Sequence, residues 1–377
     1  MPKQSPAPGD QRFPCEQCGA LLLFQPGSTE LACSHCGHRT PIKLRDDIIV
    51  EYDFNEALRT LADAAPAGQR PSTQCENCAA EFDFDEHVHA GECPFCGTQI
   101  VGGTGVNRHI KPESLLPFQI DEQAAVAAYK RWIGKLWFAP GAMKQHARRD
   151  HKLTGVYVPY WTYDSQTQTR YRGQRGDNYT VPQSYTTVEN GRTVRRTRMV
   201  TKIRWRPVSG HVRRFFDDVL IGASTSLPRK ITDRLAPWDL ENLTGYDQKF
   251  LSGFRSEVYQ VDLDEGFSQA VRVMDRVIRA DVARDIGGDH QRITQLDTRH
   301  RDTTFKHILL PIWSAGFRFR KKTYRFVVNA RSGKVQGERP YSVIKIALAA
   351  IAATAVAAAA FYVANETGLL DELWRNL

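Results

Sequence analysis

The sequence lacks the short motifs that identify the commonest enzyme classes. It contains no G-x4-G-K-[ST] phosphate loop, no G-x-S-x-G nucleophile turn, no H-E-x-x-H zinc-protease helix and no G-x-G-x-x-G dinucleotide loop. These absences argue against an ATPase, a helicase, a serine hydrolase or a metalloprotease, and no catalytic residue is assigned. A membrane-surface enzyme with a site assembled from scattered residues of 110–340 stays open as an alternative.

Cysteine is absent outside two cassettes of the form C-x2-C-x14-C-x2-C. An apolar run typical of a secretory signal is missing from the first residues, MPKQSPAPGDQRF. We therefore expect a reducing compartment, in which paired C-x2-C motifs bind metal instead of forming disulfides. Fourteen residues allow a hairpin that returns the second pair to the first, as in a zinc ribbon. The predicted metal ligands are Cys15, Cys18, Cys33, Cys36, Cys75, Cys78, Cys93 and Cys96.

The cassettes predict two structural Zn²⁺ ions as cofactors. Four thiolates close the coordination shell of each ion, which leaves no position for a water or a substrate. A unit of about thirty residues buries too little surface to fold unaided, so the metal would supply the missing stability.

Basic residues are missing from both cassettes. Residues 15–36 contain two acidic residues and residues 75–96 contain six, with no Lys or Arg in either range. Contacts with phosphate dominate affinity for DNA and RNA, so these hairpins are not expected to bind nucleic acid. Contact with a partner protein, or with the rest of the chain, is expected instead.

The positive charge is concentrated in residues 190–214, which contain nine Lys or Arg and no acidic residue, in a chain with a net charge of +9. Alternation with Met199, Ile203 and Trp205 predicts a strand with one cationic and one apolar face. Anionic lipid and nucleic acid are alternative ligands, and a solvated basic face is the third interpretation. The candidate polyanion-binding residues are Arg196, Arg198, Lys202, Arg204, Arg206, Arg213 and Arg214.

One long uncharged segment lies near the C-terminus. Residues 346–364 carry no charge, and their number is about that needed to cross a bilayer core. Basic residues precede the segment and mostly acidic residues follow it, which predicts a cytoplasmic body by the positive-inside rule. The expected topology is a single span at 343–364. An alanine-rich soluble helix is the alternative.

The remaining pattern predicts an α+β fold. Helical spacing marks 121–137 and 266–288, and strand-like residues fill 155–172, 179–208 and 322–338. The predicted units are a flexible tail (1–12), zinc ribbon 1 (13–40), a helical linker (41–71), zinc ribbon 2 (72–101), a β-rich α+β body with packed helices (110–340), a transmembrane helix (343–364) and an extracytoplasmic tail (365–377).

Together these features resemble a group of uncharacterised bacterial membrane proteins with tandem zinc ribbons and a C-terminal span. The resemblance covers nearly the whole chain and implies the bacterial inner membrane as the location. Such proteins are often labelled as relatives of primosomal protein N-prime, a superfamily II helicase with zinc-binding cysteines. The missing ATP-binding motifs do not support that label, so only the zinc-ligand role carries over. The matching segments besides the cassettes are IIVEYDFNEAL, GVYVPYWTYD, RWRPVSGHVRRFFDDVLIGAS and LPIWSAGFRFRKKTYRFVVNARSGKVQGERPYS.

The sequence as a whole predicts a membrane-tethered scaffold with structural zinc that contacts a partner protein. The main alternative is a nucleic-acid-binding protein that uses the basic strand face of residues 190–214.

Overall fold

The computed structural model describes residues 13–43, 49–63, 73–74, 80–82, 90–92, 99–101, 110–141, 153–189, 192–319, 322–338 and 341–366. Within these ranges the chain is a β-rich α+β protein, which confirms the predicted fold class. The strands are β1 (Leu22–Phe24), β2 (Glu30–Cys33), β3 (Arg39–Pro41), β4 (Tyr52–Asp53), β5 (Thr73–Gln74), β6 (Glu81–Phe82), β7 (Ala90–Glu92), β8 (Gln99–Val101), β9 (Ser114–Leu115), β10 (Thr154–Glu189), β11 (Arg192–Gly222), β12 (Thr244–Gly245), β13 (Arg255–Ser256), β14 (His290–Phe319), β15 (Lys322–Asn329) and β16 (Val335–Gly337). The helices are α1 (Phe54–Asp63), α2 (Glu122–Gly134), α3 (Arg229–Thr232), α4 (Leu263–Ile286) and α5 (Val343–Glu366), with 3-10 turns at Leu240–Asn242 and Gln248–Leu251.

The two predicted body helices begin and end at residues suited to those positions. The carboxylate of Asp121 accepts a hydrogen bond from the N–H of Ala124 at 2.8 Å and so caps the N-terminus of α2. Helix α4 ends before Gly287, which has a φ of 65°. Only glycine adopts that region without strain, so the chain can leave the helix there and enter β14.

Three long strands form the centre of the sheet. Strand β10 lies between β11 and β14 and is antiparallel to both, and the sheet continues through β15 and β16. The sequence pattern predicts separate strands at 155–172 and 179–208, whereas β10 runs without a break through the interval between them. The glycines of that interval serve close packing: a Cβ on Gly173 would lie 2.5 Å from the carbonyl oxygen of Arg292. On Gly176 it would lie 2.8 Å from Ile203 Cγ2.

Alternate residues of β10 enter different cores, because successive side chains of a strand point to opposite faces. Tyr157 packs with residues of α2, and Trp161 packs with residues of α4 on the same face. Val156 and Val158 point the other way into a core that includes Trp238. The indole N–H of the fully buried Trp161 donates to the carbonyl oxygen of Val261 at 2.8 Å, so its polar atom is satisfied.

The three long strands bulge at the same level. Register shifts occur in β10 around Asp164, and Asp218 of β11 and Asp302 of β14 have φ values of 49° and 48°. The buried Lys306 ammonium lies at this level, 2.8 Å from Asp218 Oδ1 and 2.8 Å from Glu51 Oε1. Glu51 precedes α1, so its ion pair with Lys306 joins the segment before α1 to the sheet at the level of these bulges.

Beyond the start of β14 the sheet narrows to two strands. Residues 177–189 of β10 pair only with residues 192–204 of β11 among the described residues, and we call this hairpin the arm. At about 3.3 Å per residue the arm extends roughly 40 Å. Most of its side chains are exposed.

Helix α5 is long and apolar enough to cross a membrane, with a mean hydropathy of 2.2 and no buried part. Its 24 residues span about 36 Å at 1.5 Å per residue. The helix covers the predicted span at 343–364. The predicted tail lies outside the described residues from residue 367 onward.

Candidate metal centre

The two cysteine pairs of the first cassette occupy the same kind of backbone turn. The N–H of Gly19 donates to the carbonyl oxygen of Cys15 at 2.8 Å, and the N–H of Gly37 donates to that of Cys33 at 3.0 Å. The two glycines have φ values of 74° and 76°, which side chains other than glycine rarely adopt. Each C-x2-C-G motif therefore forms a knuckle that requires glycine at its end.

The two knuckles bring four sulfur atoms together. Cys15 Sγ lies 3.5 Å from Cys36 Sγ, and Cys18 Sγ lies 3.5 Å from Cys33 Sγ. All four sulfur atoms lie within 4.8 Å of one another. A tetrahedral ion with metal–sulfur bonds of about 2.3 Å places its ligands about 3.8 Å apart, so the cluster fits one such ion.

The thiols of the cluster do not ionise independently. The backbone N–H of Cys36 lies 3.5 Å from Cys33 Sγ and lowers the pKa of that thiol to about 6. The backbone N–H at His38 favours the Cys36 thiolate, but Cys18 and its neighbours raise the pKa of Cys36 to about 12. Four thiolates this close repel one another, so a cation between them is needed for all four to ionise.

The cysteine cluster belongs to a hairpin that packs on the body. Leu22, Phe24 and Leu31 are buried in the same core as Phe250, and the rings of Phe24 and Phe250 are 5.2 Å apart. The N–H of Phe24 donates to the carbonyl oxygen of Ser252 at 3.0 Å, and the Ser252 hydroxyl donates to the carbonyl oxygen of Leu22 at 2.6 Å. An ion in the cluster would thus stabilise one wall of the main core.

The four cysteines of the second cassette lie outside the described residues, but their flanking backbone is described. In the first cassette Pro14 bridges Leu21, one residue before the first pair and three after it. Ala32 and Arg39 pair in the same way around the second pair. Around the second cassette the equivalent pairings are Gln74 with Glu81 and Glu92 with Gln99. At all four C-x2-C pairs, the residue before the pair is therefore paired with the third residue after it.

The candidate polyanion-binding residues do not form one surface. Arg213 lies on the opposite face of β11 from Arg214, whose Nη2 lies 2.9 Å from Asp281 Oδ1 of α4. The other five are exposed and share the face to which Arg214 belongs; they are Arg196, Arg198, Lys202, Arg204 and Arg206.

Two tyrosines of the neighbouring strand complete this basic face. Tyr179 lies opposite Lys202, and Tyr185 lies opposite Arg196. The guanidinium of Arg204 is 4.9 Å from the ring centre of Tyr179, and that of Arg198 is 5.6 Å from the ring centre of Tyr185. The sequence did not single out these tyrosines because the partner of each basic residue depends on a register that only the structure supplies.

The fold and the cluster define a β-rich α+β protein with a four-cysteine cluster whose geometry fits one metal ion and, among the described residues, one apolar helix near the C-terminus. Among curated proteins the chain is similar to "Uncharacterized protein YdjG" of Bacillus subtilis (strain 168). The two are 24% identical over 342 residues, which cover 89% of this chain and 92% of that protein. No model of a protein family matches the chain, and no solved structure matches it.

Proposed function

We propose that the protein is a zinc-binding scaffold held at the bacterial inner membrane by α5, with its body in the cytoplasm and a protein as its partner. The observation that carries the proposal is a four-sulfur cluster built into the same folded body that bears an apolar helix with no buried residue. The similarity to tandem zinc-ribbon membrane proteins, inferred from the sequence motifs, is part of this proposal.

Zinc is the proposed metal because four thiolates from two knuckles suit its tetrahedral preference. A closed shell of four sulfurs supports a structural role. The same backbone pairing flanks the cysteine pairs of both cassettes. It supports a second ion bound by Cys75, Cys78, Cys93 and Cys96.

Contacts at the base of α5 support close attachment of the body to the bilayer. The N–H of Ser342 donates to the carbonyl oxygen of Phe138 at 2.8 Å, and Lys345 Nζ donates to that of Ala139 at 2.8 Å. Trp137 and Tyr341 lie beside these bonds with 78% and 57% of their surfaces exposed. Tryptophan and tyrosine favour the membrane–water interface, so they would form an aromatic collar around the helix.

Membrane integration is tested by extraction of membranes with alkaline carbonate. We expect the full-length protein to stay in the pellet and the double variant Ile351→Asp with Val356→Asp to be released. The reason is that each aspartate near the centre of a spanning helix costs about 2.5–3.5 kcal/mol. Both native side chains are exposed, at 66% and 70%, so the body should keep its fold. The matched control, Ile351→Ala with Val356→Ala, should remain in the pellet.

Release of the unmodified protein by carbonate would contradict the proposed span. Orientation is read separately by adding trypsin to intact spheroplasts. A cytoplasmic body should be protected until the membrane is opened, and its digestion in intact spheroplasts would contradict the proposed orientation.

A further inference from the structure

The arm exposes a sheet face that α4 covers elsewhere. The even-numbered residues of β11 from Val208 to Phe216 are buried or half-buried against α4. The even-numbered residues 192–204 continue the same face outward, because side chains alternate along a strand. Helix α4 stops at Ile286, whose Cδ1 lies 3.0 Å from the place that a Cβ would take on Gly173. The uncovered face therefore begins where the helix ends.

Helix α4 shows which helix chemistry this face accepts. The guanidinium of Arg214 binds the carboxylate of Asp281, with Nη2 2.9 Å from Oδ1. The hydroxyl of Tyr171 donates to Asp285 Oδ2 at 2.6 Å. The two aspartates are four residues apart and lie on the same side of the helix. An arginine and a tyrosine of the sheet thus bind two carboxylates one helical turn apart.

The arm repeats this chemistry, and no helix among the described residues lies over it. Each of its tyrosines, Tyr179 and Tyr185, has basic side chains of β11 opposite and diagonal to it. Val181 lies opposite Val200 between the two tyrosine sites, and both valines are half-buried. A helix on this face would meet cationic and phenolic donors at both ends of a short apolar strip.

The positive charge of the arm is one-sided. The acidic residues at positions on the helix-binding face are Asp177 and Glu189. Asp177 already binds Arg175 Nε at 2.9 Å and Arg206 Nη2 at 2.6 Å, and Glu189 lies opposite Arg192 in the strand register. The opposite face of β11 carries Arg195 among threonines and the exposed Met199. Charge on one face attracts any anionic ligand to that face, and the half-buried valine pair between the tyrosines favours a ligand that also has an apolar side, as an acidic amphipathic helix does.

We propose that the exposed face of the arm binds an acidic amphipathic helix of a partner protein, placed end to end with α4. The proposal rests on the scaffold function above and names its partner class. A helix of roughly 27 residues would match the length of the arm at 1.5 Å per residue. Two-stranded hairpins are marginally stable in water, so a covering helix would also stabilise the arm.

The experiment measures binding of a fluorescent peptide to the full-length protein in nanodiscs of zwitterionic lipid. The peptide has the 24-residue sequence of α4 with Arg272→Glu, Arg276→Glu and Arg279→Glu on its solvent-exposed side. We expect binding by anisotropy, and a loss of about tenfold in affinity when the protein carries Arg198→Ala with Lys202→Ala.

Two controls separate recognition by this face from bulk charge. The protein variant Arg195→Ala with Arg213→Ala removes the same charge from the opposite face, and its affinity should change less than about twofold. A peptide with Asp281→Asn and Asp285→Asn should bind the unmodified protein more weakly. Circular dichroism of both protein variants should match that of the unmodified protein, because all four residues are exposed.

Several outcomes would overturn the proposal. One is no peptide binding by the unmodified protein, and another is equal weakening by both double variants. A third is binding of an oligodeoxythymidylate instead of the peptide, lost in the Arg198→Ala and Lys202→Ala variant, which would favour nucleic acid. Carbonate extraction and zinc content are measured separately and do not depend on peptide binding. Failure of this proposal is therefore distinguishable from failure of the tether or of the metal site.

Discussion

With the proposed assignment of two zinc ions per chain, replacing Cys33 by serine is expected to lower the zinc content to one. Cys33 is buried, and its sulfur lies 3.5 Å from that of Cys18, so the substitution removes one of the four clustered thiols. Structural zinc supplies about 10–16 kcal/mol in small zinc modules, and loss of one thiolate should forfeit much of it. Metal analysis of the purified full-length protein measures the first effect.

The same substitution should expose apolar surface of the body. Leu22 and Phe24 belong to the main core and are held there by the hairpin between the knuckles. We therefore expect faster proteolysis near the N-terminus and a lower unfolding temperature than for the unmodified protein. A chelator that removes zinc should reproduce both effects.

Matched variants distinguish ligand loss from local disturbance of the knuckle. Ser34→Ala and His35→Ala alter exposed residues beside Cys33, and both should retain two ions. Cys93→Ser should lose the other ion, and the double cysteine variant should lose both. Loss of zinc from His35→Ala, or fewer than two ions in the unmodified protein, would show that the eight-thiolate assignment is wrong.

Replacing Lys306 by methionine is expected to destabilise the body by about 3 kcal/mol. The Lys306 side chain is only 8% exposed and forms ion pairs with Glu51 and Asp218. Its loss leaves these two carboxylates without their cation at the bulges of the sheet, where water has little access. The value is at the lower end of the range for broken buried pairs because Glu51 is 41% exposed. Urea unfolding, followed by tryptophan fluorescence, measures the change.

The cost of Lys306→Met should depend on pH. Burial and the nearby Glu51 raise the pKa of Asp164 to about 6, although the N–H of Asp218 acts in the opposite direction. A raised folded-state pKa means that the carboxyl contributes stability below its unfolded pKa, and that this contribution is lost as pH rises through about 6. Without the Lys306 charge, the ionised carboxyl is less stable, so the loss of stability with rising pH should be larger. The destabilisation caused by Lys306→Met should therefore be greater at pH 8 than at pH 5.

The control for this prediction is Lys202→Met, which removes an exposed lysine of the arm. Its unfolding free energy should stay within about 0.5 kcal/mol of the unmodified value. A penalty for Lys306→Met that is small, or that is the same at both pH values, would contradict the role assigned to the ion pairs.

Local chemistry explains why parts of this protein can be predicted from sequence. The spacing of Cys15, Cys18, Cys33 and Cys36 restricts each knuckle so strongly that the cluster follows from the motif. Alternation in β11 likewise predicts which basic residues share a face, because parity is a property of the strand alone. The helix predicted at 266–288 is observed at Leu263–Ile286, because the spacing of its apolar residues is also a local property of the sequence.

Other features depend on contacts between distant segments. Gly173 and Gly176 suggest a turn when only their own strand is considered, but neighbouring strands require them for close approach. The aligned bulges near Lys306 need the register of three strands. At the base of α5, Ser342 and Lys345 donate hydrogen bonds to the carbonyl oxygens of Phe138 and Ala139, which are far away in sequence. None of these contacts produces a periodic pattern in the sequence from which it could be predicted.

The outer edge of β11 has a consequence for how copies of the protein meet. No strand pairs with this edge among the described residues, so up to 31 residues of backbone are open to a further strand. Open edges of this length invite pairing between identical chains. Two copies approaching edge to edge would bring their rows of arginine together, and the repulsion should keep neighbouring molecules apart.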